Sequence, residues 1–359
     1  MSPLDWGIGH ATRCVPLIRE LQKQQARIII GASGRSSDFL SYYFPEIELI
    51  NVPGHEIKYP SSGRMVWKMA SQLPGFLSNI REDHRLLKQI IKKYKIDAVI
   101  SDNRFGMWSK EVYSVYVTHQ LRIKAPEGWN FAEGILSALH GQFIRNYNEC
   151  WIPDYPGGEN LSGDLGHPRK LSPNFHYIGP LSRFSLNGEE IKRSDEEEPS
   201  GMLMLLSGPE PQRSIFEGLV LKELANHMEM KVTILRGLPG NQDKISPMPH
   251  VTMYSHLPDN EMKSQIRAAK VIICRPGYST LMDLAALGKG AILVPTPGQT
   301  EQEYLARYHA EGKSYISMRQ SEFSLAKAIE AGNGLMLQSY SINPEKLLEE
   351  RIQKIFDIF

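Results

Sequence analysis

The chain alternates between short apolar runs and longer amphipathic stretches. In the first half the apolar runs fall at 26–32, 47–52, 97–101, 114–118, 150–153 and 176–179; in the second they fall at 202–206, 231–235, 251–254, 270–274, 291–295 and 314–317. Most are β-branched or leucine-rich and nearly continuous, the pattern of strands buried on both faces of a parallel sheet. Segments of helical length separate them, among them 12–24, 79–94, 213–227, 260–269 and 280–287. Strand, helix and strand repeated in this way predict an α/β protein with parallel sheets.

The pattern runs twice and is interrupted once. Residues 185–200 (SLNGEEIKRSDEEEPS) hold almost no apolar side chain and end in an acidic run before Pro199, which reads as a solvated linker. The expected organisation is an N-terminal domain over 1–184, the linker, a C-terminal domain over 201–340 and a C-terminal helix over 341–359. That helix carries Leu347, Leu348, Ile352, Ile355 and Phe356 on one side and can cross back to the first domain. Two doubly wound, Rossmann-like domains would face each other across a cleft lined by the carboxyl ends of both sheets, where open α/β sheets bind ligands. Only residues 1–4 precede the first turn, so either the opening strand is very short or several N-terminal residues are lacking.

Composition narrows the class. Lysine and arginine number 41 against 40 aspartates and glutamates, so no overall basic field points to nucleic acid. At 41% hydrophobic, the 359 residues suit about two domains with their own cores. Cys14, Cys150 and Cys274 are too few and too far apart for a disulfide framework or a zinc cluster. The start of the chain carries a charge and two glycines where a signal peptide would need an apolar run. Nowhere do ~18 apolar residues run together, the length a spanning helix needs. The expectation is a cytoplasmic protein.

Four segments carry candidate chemistry. Gly7-Ile8-Gly9-His10-Ala11-Thr12-Arg13 opens a helix, with glycines that let backbone approach a ligand and a helix start offering unpaired N–H groups. It lacks the third glycine and downstream acid of a dinucleotide fingerprint. His10 at the cleft mouth can accept a proton from a hydroxyl; a helix-capping histidine would look the same. Cys274-Arg275-Pro276-Gly277-Tyr278-Ser279-Thr280-Leu281-Met282-Asp283 ends a buried strand, turns, and starts a helix that Ser279 or Thr280 would cap. N–H groups and hydroxyls there suit a diphosphate, and Asp283, one turn deeper on the Ser279 face, suits ribose hydroxyls. A capping box alone would give the same residues. Pro297-Gly298-Gln299-Thr300-Glu301-Gln302 sets a carboxylate beside an amide, suited to sugar hydroxyls, or simply to a helix N-terminus. Ser207-Gly208-Pro209-Glu210 would add a phosphate contact, or be only a turn.

Together these segments resemble the GT-B-fold glycosyltransferases, closest to the MurG-like type. Residues 271–315 look like their nucleotide-sugar half, and Gly7, Gly9 and His10 like their acceptor-side loop and base. The resemblance places Leu257, in Tyr254-Ser255-His256-Leu257-Pro258, where main chain reads uracil. Asp283 falls at the ribose acid, and Glu301-Gln302 at the residues that hold the sugar. Two loops, over 4–10 and at Ser207-Gly208, are poorer in glycine than in the peptidoglycan enzyme, and the segments around Asp102 and His119 differ, so the peptidoglycan substrate is not carried over.

The reading that follows is an inverting, metal-independent transferase moving a hexosyl unit from a UDP-sugar to a hydroxyl, with no cofactor. His10 would be the base, Asp102 would orient it, and the helix starting at Ser279 would stabilise the departing diphosphate. Asp102 could equally be a strand-end turn residue. A nucleotide-sugar 2-epimerase, or a non-catalytic nucleotide-sugar binding protein, shares the donor half. Residues 58–95 concentrate lysine and arginine around Trp67, Phe76 and Leu77, which suits peripheral contact with anionic lipid at the inner membrane face or an ordinary solvated helix. The acceptor would accordingly be lipid-linked or a small molecule.

Overall fold

The computed structural model describes residues 1–5, 7–54, 65–126, 128–184, 201–228, 230–238, 243–333, 335–336 and 342–359, and only the backbone over 65–74. The linker expected at 185–200, residues 58–64 and the side chains of Trp67 and Lys68 therefore lie outside the described residues. The chain divides into two compact units. One comprises Met1–Ile123, Trp129–Leu181 and Asn343–Phe359; the other comprises Lys124–Gly128 and Ser182–Ile342.

The first unit runs β1 (Ser2–Pro3), α1 (Ile8–Lys23), β2 (Ile29–Ala32), α2 (Gly34–Tyr43), β3 (Glu48–Asn51), α3 (Met65–Tyr94), β4 (Ala98–Asp102), β5 (Tyr113–Val117), α4 (Ala132–Ile144), β6 (Glu149–Ile152) and β7 (Phe175–Tyr177). Its parallel sheet has the order β1-β4-β5-β6-β7, and β2 pairs in parallel with β3. The Met1 ammonium donates to the Ile29 carbonyl and Gly31 N–H donates to the Met1 carbonyl, each at 2.9 Å, which brings β2 alongside the first strand. The spatial order is thus 3-2-1-4-5-6-7, a doubly wound arrangement whose strand order reverses between β1 and β4. Ala11, Cys14, Val15 and Ile18 recur at helical spacing on α1 and pack with Ile30, Ala32, Phe39, Leu40 and Phe44.

The second unit runs β8 (Met202–Leu205), α5 (Gln212–Leu224), β9 (Val232–Leu235), β10 (Lys244–Met248), β11 (Val251–Tyr254), α6 (Asp259–Ala268), β12 (Val271–Cys274), α7 (Tyr278–Ala286), β13 (Ala291–Leu293), α8 (Thr300–Ala310), β14 (Tyr315–Ser317) and α9 (Leu325–Gly332). Its sheet has the order β10-β11-β9-β8-β12-β13-β14, parallel except for the antiparallel pair β10–β11. The reversal point here lies between β8 and β12. Both faces of the central strands are covered: Met202, Met204, Ile234, Ile273 and Ile292 on one face are buried with Phe216, Val220 and Leu224 of α5, and Leu203, Leu205, Ile272 and Leu293 on the other are buried too.

Each predicted apolar run holds a strand, and three features depart from the pattern. The edge strand β10 (KISPM) is mostly exposed, so burial imposes no apolar run on it. Helix α3 begins at Met65 rather than at 79 and runs through Pro74-Gly75, which a local reading takes as a stop. Periodicity does not mark α4, because apolar side chains cover it all round: Ile144 is buried, while Ile135 and Leu139 are 62% and 55% exposed.

The last helix, α10 (Pro344–Phe356), belongs to the first unit. Asn343 caps it, its side-chain oxygen accepting from Glu345 N–H at 2.9 Å, and Leu348, Ile352 and Ile355 are buried. It is pinned by Arg351, whose Nε donates to Glu149 Oε2 at 2.9 Å and whose Nη2 also reaches Glu149. Glu149 sits at the start of β6 and accepts from Tyr113 Oη and Trp151 Nε1, both at 2.7 Å. Removing one partner of a buried pair leaves the other charge poorly compensated, so Arg351→Ala should lower the first unit's stability by about 2 kcal/mol, with the remaining Tyr113 and Trp151 donors limiting the loss. Chemical denaturation followed by tryptophan fluorescence, all five tryptophans lying in the first unit's ranges, measures it; an unchanged midpoint would show that the pair anchors nothing.

Candidate active site

In the first unit the polar groups gather at the reversal point. Gly7 precedes α1 with φ +84°, a left-handed conformation that glycine adopts freely at the entry to the helix. His10 and Arg13 lie one turn apart on α1 and therefore on one face. Asp102 ends β4, and β1 pairs with Ser101 and Asp102, so helix and carboxylate meet. His10 Nδ1 lies 3.0 Å from Asp102 Oδ1. Arg13 donates to both carboxylate oxygens through Nε and Nη2, while its Nη1 lies 3.3 Å from Nδ1 of His119, just beyond β5. Asp102 has no solvent exposure, Arg13 has 2% and the His10 side chain 14%.

Electrostatics follow from that geometry. Burial pushes the Asp102 carboxyl up, but the charges of Arg13 and His10 and their hydrogen bonds outweigh it and hold it down at about 2. Burial first, then the Arg13 charge, pull His10 below the ordinary imidazole value, and Asp102 pulls the other way. His10 is thus a neutral imidazole beside an ionised carboxylate. Its Nε2 makes no hydrogen bond among the described residues.

In the second unit, polar groups gather where the parallel strands end. Ser207 and Gly208 follow β8, and a Cβ on Gly208 (φ +134°) would stand 3.9 Å from Thr296 Oγ1, beyond β13. Thr296 N–H donates to Gln302 Oε1 at 2.9 Å, which fixes the loop before α8. Arg275, 1% exposed, follows β12 and donates to the carbonyls of Val294 (2.9 Å) and Gln212 (3.3 Å) and to Gln320 Oε1 (2.6 Å). At the carboxyl ends of these strands, Thr296 Oγ1, Gln299 Oε1, Gln212 Oε1 and Ser255 Oγ are buried without a hydrogen-bond partner among the described residues. Buried polar atoms are nearly always satisfied, so each of these oxygens has room for a further hydrogen bond.

Residues 212–349 match the glycosyltransferase family 28 C-terminal domain. A Methanosarcina mazei protein described as an uncharacterized glycosyltransferase is 27% identical over 364 residues, covering 96% of this chain and 86% of its own. The UDP-N-acetylglucosamine–N-acetylmuramyl-(pentapeptide) pyrophosphoryl-undecaprenol N-acetylglucosamine transferase of Actinobacillus pleuropneumoniae is 23% identical over 326 residues, covering 88% of this chain and 83% of its own. Among solved structures, MurG of Acinetobacter baumannii superposes with a TM-score of 0.54 at 16% identity, over 99% of this chain and 98% of its own. The chain has the GT-B fold and is similar to MurG-like glycosyltransferases over most of its length.

Within this glycosyltransferase, Gly7, Gly9, His10, Asp102 and His119 fall around one point of the first unit. Ser207, Gly208, Gly277, Ser279, Thr280, Glu301 and Gln302 fall at the strand ends and helix starts of the second. Leu257 is 5% exposed, so its side chain belongs to the core. The expected cap is corrected: α7 starts at Tyr278 with Gly277, extended at ψ 138°, as the flanking residue. Ser279 and Thr280 consequently sit inside the first turn rather than at the cap position. Asp283 is engaged within the protein, Ser182 Oγ donating to Oδ1 at 2.6 Å and Arg183 Nε lying 3.7 Å from Oδ2. Arg13, Arg275, Ser182 and Arg183 went unmarked as partners. Arg13 could have been found by its spacing of three from His10 on one helix; Arg183 carries no local signal.

Burial raises the Asp283 carboxyl from its ordinary 3.8 to about 6, against the opposing pull of Arg183 and the Ser182 hydrogen bond. The folded state therefore holds an extra proton between those values, and stability falls as pH rises through about 6. Relative to Asp283→Asn, the wild type should lose thermal stability between pH 4 and pH 7, an interval of about three units that spans the transition. Melting curves across that range test it; parallel curves for the two proteins would refute it.

Proposed function

We propose that this glycosyltransferase moves a hexosyl unit from a UDP-sugar to a hydroxyl acceptor with inversion and without a metal ion. What carries the reading is the His10–Asp102 pair in the first unit, 3.0 Å apart, with Nε2 of a neutral imidazole left to act. His10 Nε2 takes the hydroxyl proton as the acceptor oxygen attacks the anomeric carbon. The bond from that carbon to the diphosphate oxygen breaks on the opposite face, so the product is inverted. General-base assistance of this kind is worth about 10²–10⁴ in rate.

The second unit holds the donor. The start of α7 offers the N–H groups of its first turn with Ser279 and Thr280, and Ser207-Gly208 adds backbone at the neighbouring strand end. A helix N-terminus stabilises the charge that builds on the leaving diphosphate, the work a metal ion would otherwise do. The unpartnered Thr296, Gln299 and Ser255 oxygens support a site that hydroxyl-rich ligands complete. The uracil base rests on resemblance, through the main chain at Leu257.

The acceptor is lipid-linked on this reading. The Actinobacillus relative acts on an undecaprenol-linked acceptor, and the first unit has a surface suited to anionic lipid. Phe131, Ile135 and Leu139 follow one another at spacing four along α4 and are 71%, 62% and 55% exposed. Phe76 of α3 meets Phe143 of α4 edge to face at 6.2 Å, which joins that stripe to an α3 face exposing Arg81, Arg85, Lys88 and Lys92. Apolar and basic groups side by side suit a membrane surface. No helix among the described residues is long and apolar enough to cross a membrane.

His10→Ala should cut sugar transfer by at least about 10²-fold while UDP binding, read as a thermal shift, is retained. Excess chelator should leave turnover unchanged. Wild-type rates from His10→Ala would dismiss His10 as the base, and loss of turnover on chelation would dismiss the metal-free mechanism. Co-sedimentation with phosphatidylglycerol vesicles should fall with salt and on Ile135→Glu; equal recovery with neutral and anionic vesicles would leave a soluble acceptor.

A further inference from the structure

His10 Nδ1 has two neighbours that cannot both be its partner. Asp102 Oδ1 lies at 3.0 Å and can only accept; Arg13 Nη2 lies at 2.8 Å and can only donate. If Nδ1 carries the proton, it donates to Asp102 and Nε2 has a free lone pair. If Nδ1 accepts from Arg13, the proton sits on Nε2 and the imidazole cannot act as a base there. The arrangement therefore decides whether the reaction has a base at all.

Arg13 settles that competition through its grip on the carboxylate. Nε reaches Oδ2 and Nη2 reaches Oδ1, so the guanidinium and Asp102 are locked as a planar pair with both oxygens fixed. A carboxylate oxygen held 3.0 Å from Nδ1 would oppose a bare nitrogen lone pair and welcomes an N–H. The charged and titratable groups facing His10 are Arg13 on its own helix, Asp102 at the end of β4 and His119 beyond β5. Of these, only Asp102 favours the imidazolium, and Arg13 cancels its charge.

We propose that Arg13 is a positioning residue of this active site: it fixes Asp102 as acceptor of the His10 Nδ1 proton and cancels the negative charge that would otherwise hold His10 as an imidazolium. The inference rests on the reading of His10 as the base. Its chemistry is a division of labour on one helix, in which the residue one turn after the base keeps that base neutral.

Nuclear magnetic resonance of the full chain with isotope-labelled histidine reads both the tautomer and the titration of His10, its signal assigned by loss in His10→Gln. In the wild type the neutral ring should carry its proton on Nδ1. In Arg13→Gln the midpoint of the His10 titration should move up, and Arg13→Lys, which keeps the cation, should stay closer to wild type. Asp102→Asn, which still gives Arg13 an acceptor, should move the midpoint down and transfer the neutral-ring proton to Nε2. A wild-type proton on Nε2, an unmoved or lowered midpoint in Arg13→Gln, or an unchanged tautomer in Asp102→Asn would each overturn the proposal. None of these measurements uses substrate. Full activity of His10→Ala would thus sink the base itself, whereas a dead His10→Ala with an unmoved Arg13→Gln midpoint would sink only the role of Arg13.

Discussion

A carboxylate with no solvent exposure at the end of a strand needs a cation against it, and Arg13 is that cation for Asp102. Taking a charge from water costs several kcal/mol even after relaxation, so the pair holds only with hydrogen bonds on both oxygens. Here the same pair does structural work that the backbone does weakly. β1 is two residues long, and its ladder to β4 covers only Ser2–Ser101 and Pro3–Asp102. The ion pair adds side-chain bonds from α1 to β4 at that point, and the direction of His10 follows. The reversal of strand order between β1 and β4 is what brings a helix start and a strand end together.

The second unit solves the matching problem with a cation that meets no carboxylate among the described residues. Arg275 lies 4.2 Å from the Phe216 ring centroid and spends its N–H groups on two carbonyls and an amide oxygen. Burial lowers its guanidinium to about 10, still charged at neutral pH. That single side chain ties the ends of β12 and β13 to the start of α5. The carboxyl-edge loops that carry Thr296 Oγ1 and Gln299 Oε1, buried without a hydrogen-bond partner among the described residues, thereby start from ordered backbone.

The two arginines differ in what they leave for chemistry. Arg13 neutralises a charge so that a neighbouring histidine stays neutral, whereas Arg275 spends its described hydrogen bonds on ordering backbone and an amide. Lysine would serve neither role as well, because both sites use the planar fork of donors.

Continuous apolar runs determined the strands, since a strand buried on both faces admits a polar side chain only where a partner awaits it; the strands 202–205 and 271–274 are the clearest cases. Glycine and histidine spacing marked Gly7, Gly9 and His10, because a tight turn into a helix restricts which residues can stand there. An exposed edge strand such as β10, and a helix such as α4 whose apolar residues run all round, leave no periodic trace. Nor could sequence reveal that Arg13 and Asp102, 89 residues apart, share a hydrogen-bonded pair, or that Asp283 is held by Ser182, 101 residues before it. Local pattern records how each segment meets water and the sheet. Which polar side chains meet one another is decided only when strand order brings distant segments together, and the chemistry of the site depends on those meetings.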